Sequence, residues 1–339
     1  MNLYDKSFPK ITLAIDTMGA DLGPSITITG ASLIASKLNV KFIFVGNEKE
    51  LLPLIKMKSN LSNSSVVHTA DYVKANEKGA EALRTGKNTS MRLGIELVKS
   101  GKADALVSAG NTGALLSMAY VVLRPISGIS RPAMIAYFPT KRGEKAMLDL
   151  GANIDCDSRN LVDFAIMGSA FCRIIFKLKN PSVGLLNVGE EAQKGNNLLQ
   201  ETANLLNKEN KNINYYGFVE GDDISEGKVD VIVTDGFSGN IALKTAEGTA
   251  KLVIYFLRKS FQSSILSKIA YFLARRSLKK MKSLVDPRSY NGAVMVGLNG
   301  IVVKSHGGAD GKGFSNAINV AYEMVQGNFI ADLKNNIDN

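Results

Sequence analysis

One local pattern recurs along this chain: a short run of apolar, often β-branched residues, a polar turn rich in Gly, Asn and Asp, and then a segment with helical periodicity. It occurs at residues 11–19, 105–113, 147–153, 183–191 and 231–245. Continuous apolar runs are typical of strands buried on both faces, and their alternation with helices predicts an α/β fold with a mainly parallel sheet. Ligands of such sheets bind beyond the carboxyl ends of the strands. The pattern therefore predicts one crevice shared by the polar turns.

Periodicity and turn residues predict the individual elements. Strands are expected at residues 11–16, 40–45, 65–67, 105–108, 134–138, 146–150, 182–188, 213–216, 229–234, 293–296 and 301–304. Helices are expected at residues 77–100, 113–123, 159–178, 196–206, 240–259 and 311–327. The Asn299-Gly300 pair between the last two strands predicts a hairpin, so we expect an antiparallel segment within the sheet.

The chain as a whole is consistent with one domain spanning residues 1–339, because no low-complexity linker divides it. Residues 1–10 and 334–339 are rich in Asn and Lys and are expected to fray. Charged residues before the first strand do not fit a signal peptide, so a cytoplasmic location is expected. With only two Cys and two His in the chain, neither a metal site nor a cofactor is expected.

Positive charge is concentrated in residues 248–285, which carry nine of the 41 Lys and Arg residues and no acidic residue. On a helical wheel the apolar residues of this segment share one arc, so residues 251–285 are predicted to form a basic amphipathic helical extension. Such a helix binds an anionic membrane, docks an acidic protein, or packs its apolar face on the body or on a second subunit. Nucleic acid is not an expected partner, because no aromatic ladder or binding motif accompanies the charge.

The polar turns contain the candidate reactive residues. Lys194, beside a Gly-Asn pair at a helix start, is able to neutralise a phosphate or an oxyanion, although an isolated lysine is more often a solvated surface residue. Asn240 is expected near the start of a helix, where it either donates to a developing oxyanion or serves as an N-cap. Asn111, Thr112 and Asn153 present the same alternatives. Three aspartates at strand ends most economically cap turns: Asp16, Asp149 and Asp235.

Taken together, these segments resemble the bacterial phosphate acyltransferases of the PlsX family over nearly the whole chain. The resemblance rests on six motifs in the order and spacing of that family. They are AIDTMGADLGP (14–24), SAGNTGALL (108–116), LDLGAN (148–153), NVGEEAQKGN (187–196), DGFSGNIALKTAEG (235–248) and GLNGIVVKSHGGAD (297–310). The sequence departs from the family in having Leu22 where a His often precedes Gly-Pro, and Gly308-Ala309 where Ser is frequent.

The resemblance implies transfer of a long-chain acyl group from acyl carrier protein to inorganic phosphate, which gives acyl phosphate for glycerophospholipid synthesis. It implies a three-layer α/β/α sandwich similar to isocitrate dehydrogenase and phosphotransacetylase, and a homodimer associated peripherally with the inner face of the cell membrane. A downstream glycerol-3-phosphate acyltransferase is the implied consumer of the product. A phosphotransacetylase-like enzyme that uses acyl-CoA is the alternative, and a catalytically silent dimer that recruits lipid-synthesis partners is a rival of another class.

The resemblance also implies a set of site residues. Lys194 and Asn240 match the positions that the family is thought to use in catalysis. The expected phosphate and substrate contacts are Asp16, Gly19, Asn111, Thr112, Gly113, Asn153, Gly195, Asn196, Asp235, Gly236, Gly239, Ser305 and His306. The surface expected to meet the membrane or the carrier protein comprises Arg258, Lys259, Phe261, Lys268, Phe272, Leu273, Arg275, Arg276 and Lys279.

Overall fold

The computed structural model describes residues 10–208, 212–284 and 286–337. Within them one sheet contains every strand that the sequence predicts. The strands are β1 (Ile11–Asp16), β2 (Val40–Gly46), β3 (Ser65–His68), β4 (Ala105–Ser108), β5 (Ala133–Thr140), β6 (Gly143–Leu148), β7 (Ser182–Leu186), β8 (Asn214–Val219), β9 (Val231–Val233), β10 (Ala293–Val296) and β11 (Ile301–Lys304).

Helices connect most of these strands. They are α1 (Pro24–Ala35), α2 (Glu48–Lys56), α3 (Gly79–Thr85), α4 (Ser90–Lys99), α5 (Thr112–Leu123), α6 (Ser158–Ile175), α7 (Asn197–Lys208), α8 (Asp223–Glu226), α9 (Gly236–Gln262), α10 (Ile265–Leu284), α11 (Gly311–Gln326) and α12 (Phe329–Ile337).

The sheet has the order β3-β2-β1-β4-β11-β10-β5-β6-β9-β7-β8. The strands β3, β2, β1, β4 and β11 are parallel to one another, and so are β6, β9, β7 and β8. Between these two sets, β10 is antiparallel to both neighbours, and β5 forms an antiparallel hairpin with β6. The two sets therefore run in opposite directions, and the predicted β10–β11 hairpin is confirmed.

Helices cover both faces of the sheet. In β1, Leu13 and Ile15 belong to one apolar cluster, which also includes residues of α1, α6 and α11, whereas Ala14 belongs to another with residues of α4 and α5. Alternate residues of a strand point to opposite faces, so these clusters lie on the two sides of the sheet. A third cluster packs α8 and α9 against β5, β6 and β9. The architecture is a three-layer α/β/α sandwich with a mixed, mainly parallel sheet, as expected.

Several predicted helices differ from those in the structure. The helix predicted at residues 77–100 is two helices, because α3 ends before Gly86 and α4 begins after Thr89, whose hydroxyl accepts a hydrogen bond from the N–H of Arg92 at 3.4 Å. The expected fraying of residues 334–339 is wrong for 334–337, which belong to α12 with Leu333 buried. Residues 1–9, 338 and 339, also expected to fray, lie outside the described residues.

The basic segment is a helical hairpin rather than one helix. The long helix α9 ends at Gln262, a turn follows at Ser263 and Ser264, and α10 begins at Ile265. The prediction of a single apolar arc is therefore wrong, because Phe261 lies on α9, whereas Phe272 and Leu273, which were expected on the same arc, lie on α10. The expected surface residues are divided between α9 (Arg258, Lys259, Phe261) and α10 (Lys268, Phe272, Leu273, Arg275, Arg276, Lys279).

Candidate active site

The first polar turn is organised by the carboxylate of Asp16 at the end of β1. Its oxygens accept hydrogen bonds from the hydroxyls of Ser90 (2.7 Å) and Ser108 (2.6 Å) and from the N–H of Met18 (3.2 Å). Asp16 is only 1% exposed, and this burial raises the pKa of its carboxyl group. Ser108 in turn accepts the N–H of Gly110 at 3.1 Å. Asp16 therefore fixes the shape of the turn.

Two further predicted site residues hold this turn against the next. Gly19 lies so close to the following loop that a Cβ atom there would be 2.4 Å from the Cα of Gly110. Asn111 caps α5, because its Oδ1 accepts the N–H of Ala114 at 3.0 Å, while its Nδ2 donates to the carbonyl groups of Ala75 and Glu77, in the loop before α3, at 2.8 and 2.9 Å. Both ends of the Asn111 amide are thus occupied by the protein.

The turn after β11 lies beside the same group. The N–H of Ser305 donates to the carbonyl of Ser108 at 2.8 Å. Asn291 donates to the hydroxyl of Ser305 at 2.7 Å and accepts the N–H of His306 at 2.8 Å. The imidazole of His306 is exposed and accepts the N–H of Gly308 at its Nδ1 atom, at 3.2 Å. This arrangement buries Ser305 and presents His306 at the surface.

A second buried carboxylate, Asp149, organises the turn after β6. It accepts hydrogen bonds from the backbone N–H groups of Met134 (2.8 Å), Ala152 (3.1 Å) and Asn153 (2.6 Å), and from the side chain of Asn153 (3.0 Å). Burial raises the pKa of this carboxyl group as well. Asn153 also donates to the carbonyl of Pro132 at 2.8 Å. The predicted substrate contact Asn153 is therefore engaged with the protein.

The turn of Asp149 is closely packed against the first turn of α9. The N–H of Gly236 donates to the carbonyl of Asn153 at 2.8 Å. At Gly239, a Cβ atom would lie 2.0 Å from the carbonyl oxygen of Asp149. Only glycine allows this approach, which explains why the DGFSG segment has glycine at both positions.

Asn240 is the fifth residue of α9, which begins four residues earlier than predicted, so Asn240 is not its N-cap. The helix begins at Gly236, because the carboxylate of Asp235 caps it by accepting the N–H of Ser238 at 2.8 Å. The side chain of Asn240 is exposed and reaches over Gly151, where a Cβ atom would lie 2.8 Å from its Nδ2 atom. Within the described residues its side-chain amide makes no hydrogen bond. Asn240 is thus available to a ligand in a way that Asn111 and Asn153 are not.

The loop of Lys194 follows β7 and is exposed. Asn196 caps α7 by accepting the N–H of Leu199 at 3.0 Å. Gly195 has a φ of 91° and lies against Asn187, whose Oδ1 atom would be 2.5 Å from a Cβ at that position. In the part of the chain that the structure describes, no carboxylate lies within ion-pair distance of the Lys194 ammonium. The loop therefore presents an unpaired cation held by a glycine turn.

A pocket of about 530 Å³ opens between α9, the central strands and the turn after β11. Its apolar lining residues are mainly Ala136, Phe138, Pro139, Leu243, Ala246, Ala250 and Ala293. Its polar lining residues include Thr112, Lys244, Glu247, Lys251, Arg288, Lys304, Ser305 and His306. Such a pocket suits a ligand with an apolar chain and an anionic group.

Most charged groups at this pocket are already paired. Arg288 bonds the carboxylates of Asp286 (2.6 Å) and Asp310 (2.7 Å), and Lys244 pairs with Glu247 at 3.0 Å. The pKa of the Asp286 carboxyl is lowered mainly by its hydrogen bonds to Arg288. These pairs fix the walls of the pocket and leave its remaining cations to a ligand.

The structure separates the polar turns into two groups, so the expectation of one shared crevice is wrong. Because the sheet reverses direction, the carboxyl ends of β1, β4 and β11 lie at one edge, and those of β6, β9 and β7 at the other. Thr112, Ser305 and His306 line the pocket, whereas Lys194 and Asn240 do not. Helix α9 connects the groups, since Asn240 is one turn from the pocket residue Lys244. Of the pocket residues, Lys304 was missed by the sequence reasoning, although a lysine ending a buried strand is a signal for it.

A family model described as "Fatty acid synthesis protein" matches residues 11–332. A phosphate acyltransferase of Rhodospirillum centenum is 52% identical over 318 residues, which cover 93% of this chain and 90% of that protein. The chain belongs to the phosphate acyltransferase family. A second member, from Rhodospirillum rubrum, is 46% identical and covers 96% of this chain and 94% of its own length. The expected family and enzyme class are confirmed.

Solved structures support the fold. A phosphotransacetylase from Streptococcus pyogenes superposes with a TM-score of 0.63 at 17% identity, covering 95% of this chain and 96% of the other. EutD phosphotransacetylase from Staphylococcus aureus superposes with a TM-score of 0.60 at 19% identity, covering 96% of this chain and 97% of the other. The phosphate acyltransferase chain therefore shares the phosphotransacetylase architecture expected from its sequence.

Proposed function

We propose that this chain transfers a long-chain fatty acyl group from the thioester of acyl carrier protein to inorganic phosphate. The observation that carries the proposal is the pocket along α9, whose lining combines apolar residues with basic ones, in a member of the phosphate acyltransferase family. A phosphate oxygen attacks the thioester carbonyl carbon, the C–S bond breaks, and the sulfur leaves and takes up a proton. The products are acyl phosphate and free carrier protein.

This chemistry does not require a covalent intermediate on the protein. Phosphate is already a nucleophilic anion and a thiol is a good leaving group. The protein has to hold two partners in line and stabilise negative charge on the carbonyl oxygen in the tetrahedral intermediate. An unpaired lysine and an unbonded amide are suited to these two tasks.

We assign the tasks to Lys194 and Asn240. In this assignment Lys194, with the N–H groups of Gly195 and Asn196, holds phosphate, and the Nδ2 group of Asn240 donates to the thioester oxygen. Their position in the sheet supports the pairing, since β7 and β9 are parallel neighbours with Leu185 opposite Val233. The loops after these strands therefore begin side by side at one edge.

Replacement of Lys194 by Ala tests the assignment. We expect acyl phosphate formation, trapped with hydroxylamine, to fall by about 100-fold or more, because loss of an electrostatic group at a reacting centre has effects of this order. Lys102→Ala, at an exposed lysine before β4, is the matched control and should retain full activity. A folded Lys194→Ala protein with wild-type activity would show that the assignment is wrong.

The donor is tested by comparing acyl carrier protein with coenzyme A as carriers of the same acyl group. We expect a higher kcat/KM with the carrier protein, because the exposed basic residues of α9 and α10 attract an acidic partner over long distances. Raising the salt concentration should reduce this preference. A preference for acyl-CoA that salt does not change would favour the phosphotransacetylase-like alternative.

We also propose that the α9–α10 hairpin binds an anionic membrane. Its outer part exposes apolar side chains, with Ile265 and Leu266 at the turn 78% and 79% exposed, and Phe272 and Leu273 further along α10. Lysines and arginines on the same helix suit lipid headgroups. None of the helices in the described ranges is both long and apolar enough to cross a bilayer.

Flotation with anionic liposomes tests this surface. Phe272→Glu and Leu273→Glu should each reduce the bound fraction, whereas Ser277→Glu adds the same charge at an exposed polar position of α10 and should reduce it less. Unchanged flotation of both apolar variants would remove the membrane role and leave the carrier protein as the partner of the hairpin.

The remaining expectations are part of the same proposal. We propose a homodimer on the inner face of the cell membrane, whose acyl phosphate is consumed by a glycerol-3-phosphate acyltransferase. Light scattering of the purified protein measures the oligomeric state, and a monomer at micromolar concentration would contradict the dimer.

A further inference from the structure

Lys304 differs from the other Lys and Arg residues of the pocket, of which two are paired with carboxylates and the third, Lys251, is exposed. It ends β11, directly before Ser305, and its ammonium donates to the Ser305 carbonyl. Arg288 and Lys244 at the same pocket are paired with carboxylates. Among the described residues, no carboxylate lies within ion-pair distance of Lys304, although Asp16 and Asp21 act on it electrostatically. Lys304 is thus a partly buried cation without a direct counter-ion.

The protein stabilises the positive charge of Lys304 incompletely. Burial lowers the pKa of Lys304 to about 8, because the charged form has lost part of its hydration and the nearby carboxylates compensate incompletely. An anion bound in the pocket would supply the missing charge. Thr112, the first residue of α5, lines the same pocket and adds the positive end of a helix dipole.

We propose that Lys304 binds a phosphate group of a substrate in this pocket. The proposal rests on the proposed function, which supplies two sources of this group: the phosphodiester of the pantetheine arm that carries the acyl thioester, and free phosphate, which would then be bound at Lys304 as well as at Lys194. Both are tetrahedral oxyanions of the size and charge that a lysine recognises as a point charge. Lys304 is therefore a binding residue additional to Lys194 and Asn240.

Steady-state kinetics of Lys304→Met distinguish the two sources. The substitution keeps the length of the side chain and removes the charge, so we expect KM for one substrate to rise by about 10- to 100-fold, with kcat changed much less. A rise in KM for phosphate identifies the free acceptor, and a rise in KM for the carrier protein identifies the arm. Lys102→Met, at the opposite end of the neighbouring strand β4, is the control and should change neither.

A second measurement detects ligand binding independently of enzyme activity. Wild-type protein is labelled at pH 8 with an amine-reactive anhydride, with and without inorganic phosphate or phosphopantetheine at matched ionic strength, and modification of each lysine is followed by mass spectrometry. We expect one of the two ligands to slow labelling of Lys304 several-fold and to leave Lys102 unchanged. If neither ligand slows labelling of Lys304, the proposal is wrong. The charge of Lys304 then serves only to balance the negative charges of Asp16 and Asp21.

These readouts also separate the proposal from the proposed function. If wild-type protein makes no acyl phosphate from carrier thioester and phosphate, the proposed function fails, whereas protection of Lys304 by phosphate still shows the binding site. If acyl phosphate forms but Lys304 is not protected, the function stands and the assignment of Lys304 fails.

Discussion

This protein contains two different kinds of polar structure. One is the pair of turns around Asp16 and Asp149, and the other is the set of side chains of Lys194, Asn240 and Lys304. The aspartates are buried, and their oxygens accept hydrogen bonds from three and four donors respectively. The other three residues are exposed or partly exposed, and within the described residues the only hydrogen bond made by their side chains is the one that Lys304 donates to the Ser305 carbonyl. The two aspartates, whose hydrogen bonds the protein supplies, therefore determine the shape of the site, while the three other side chains are left to bind a ligand.

The largest expected effect is the loss of stability in Asp149→Ala. This substitution leaves the N–H donors of Met134, Ala152 and Asn153 without their acceptor, and we expect the free energy of unfolding to fall by about 3–5 kcal/mol. Asp149→Asn keeps one acceptor oxygen and should lose less. Urea denaturation followed by circular dichroism measures both variants.

The control for this prediction is Asp235, an aspartate at the start of α9 in the same pair of turns. It is more exposed than Asp149 and caps the helix, so Asp235→Ala should cost only about 1 kcal/mol. Equal losses for Asp149→Ala and Asp235→Ala would mean that burial does not distinguish the two carboxylates.

The second prediction compares Asn240 with Asn111, the same residue type in opposite situations. Asn240→Ala removes an exposed, unbonded amide, so we expect kcat to fall by about 100-fold with the free energy of unfolding changed by less than about 0.5 kcal/mol. Asn111→Ala removes a helix cap and two further hydrogen bonds, so it should lower stability by about 1–3 kcal/mol.

Acyl phosphate formation and thermal unfolding of the two asparagine variants provide the measurements. If Asn240→Ala unfolds more easily and keeps its kcat, then Asn240 belongs with the residues that shape the site.

The sequence predicted the positions of the strands well because each is a short apolar run ended by turn residues. It also predicted the β10–β11 hairpin, but not the reversal between β5 and β6, because the direction of a strand depends on which neighbours it pairs with. The residues 140–143 between β5 and β6 do form a tight connection, but their sequence, Thr-Lys-Arg-Gly, is not a strong hairpin signal. The prediction of a single crevice was wrong because of this connection between β5 and β6.

The candidate site was predicted in part, for a related reason. A motif shows which polar residues are present but not which of their atoms the protein itself uses. Asn111, Asn153 and Asn240 looked equivalent in the sequence, and only the fold shows that the first two are bonded to the protein. Lys304 was overlooked because its burial beside Ser305 depends on β4 and α9, which are distant in sequence.

The smallest expected effect concerns the pH dependence that Asp16 contributes. Its carboxyl group has an ordinary pKa of 3.8, and burial raises this value in the folded protein. The folded state therefore holds the proton more tightly than the unfolded state does. The contribution of Asp16 to the free energy of unfolding is then largest below pH 3.8 and falls, by at most about 1.4 kcal/mol per pH unit, as the pH rises to the folded-state pKa.

Asp16→Asn isolates this contribution, since the other carboxyl groups are common to both proteins. We expect the stability of the wild type relative to Asp16→Asn to fall through this pH window and to stay constant above it. Urea midpoints at a series of pH values give the difference directly. A difference that rises with pH would mean that the hydrogen bonds from Ser90 and Ser108, with the charge of Lys304, outweigh the loss of hydration. In that case Asp16 would be a carboxylate that the fold stabilises, and Lys304 would have its counter-ion within the protein.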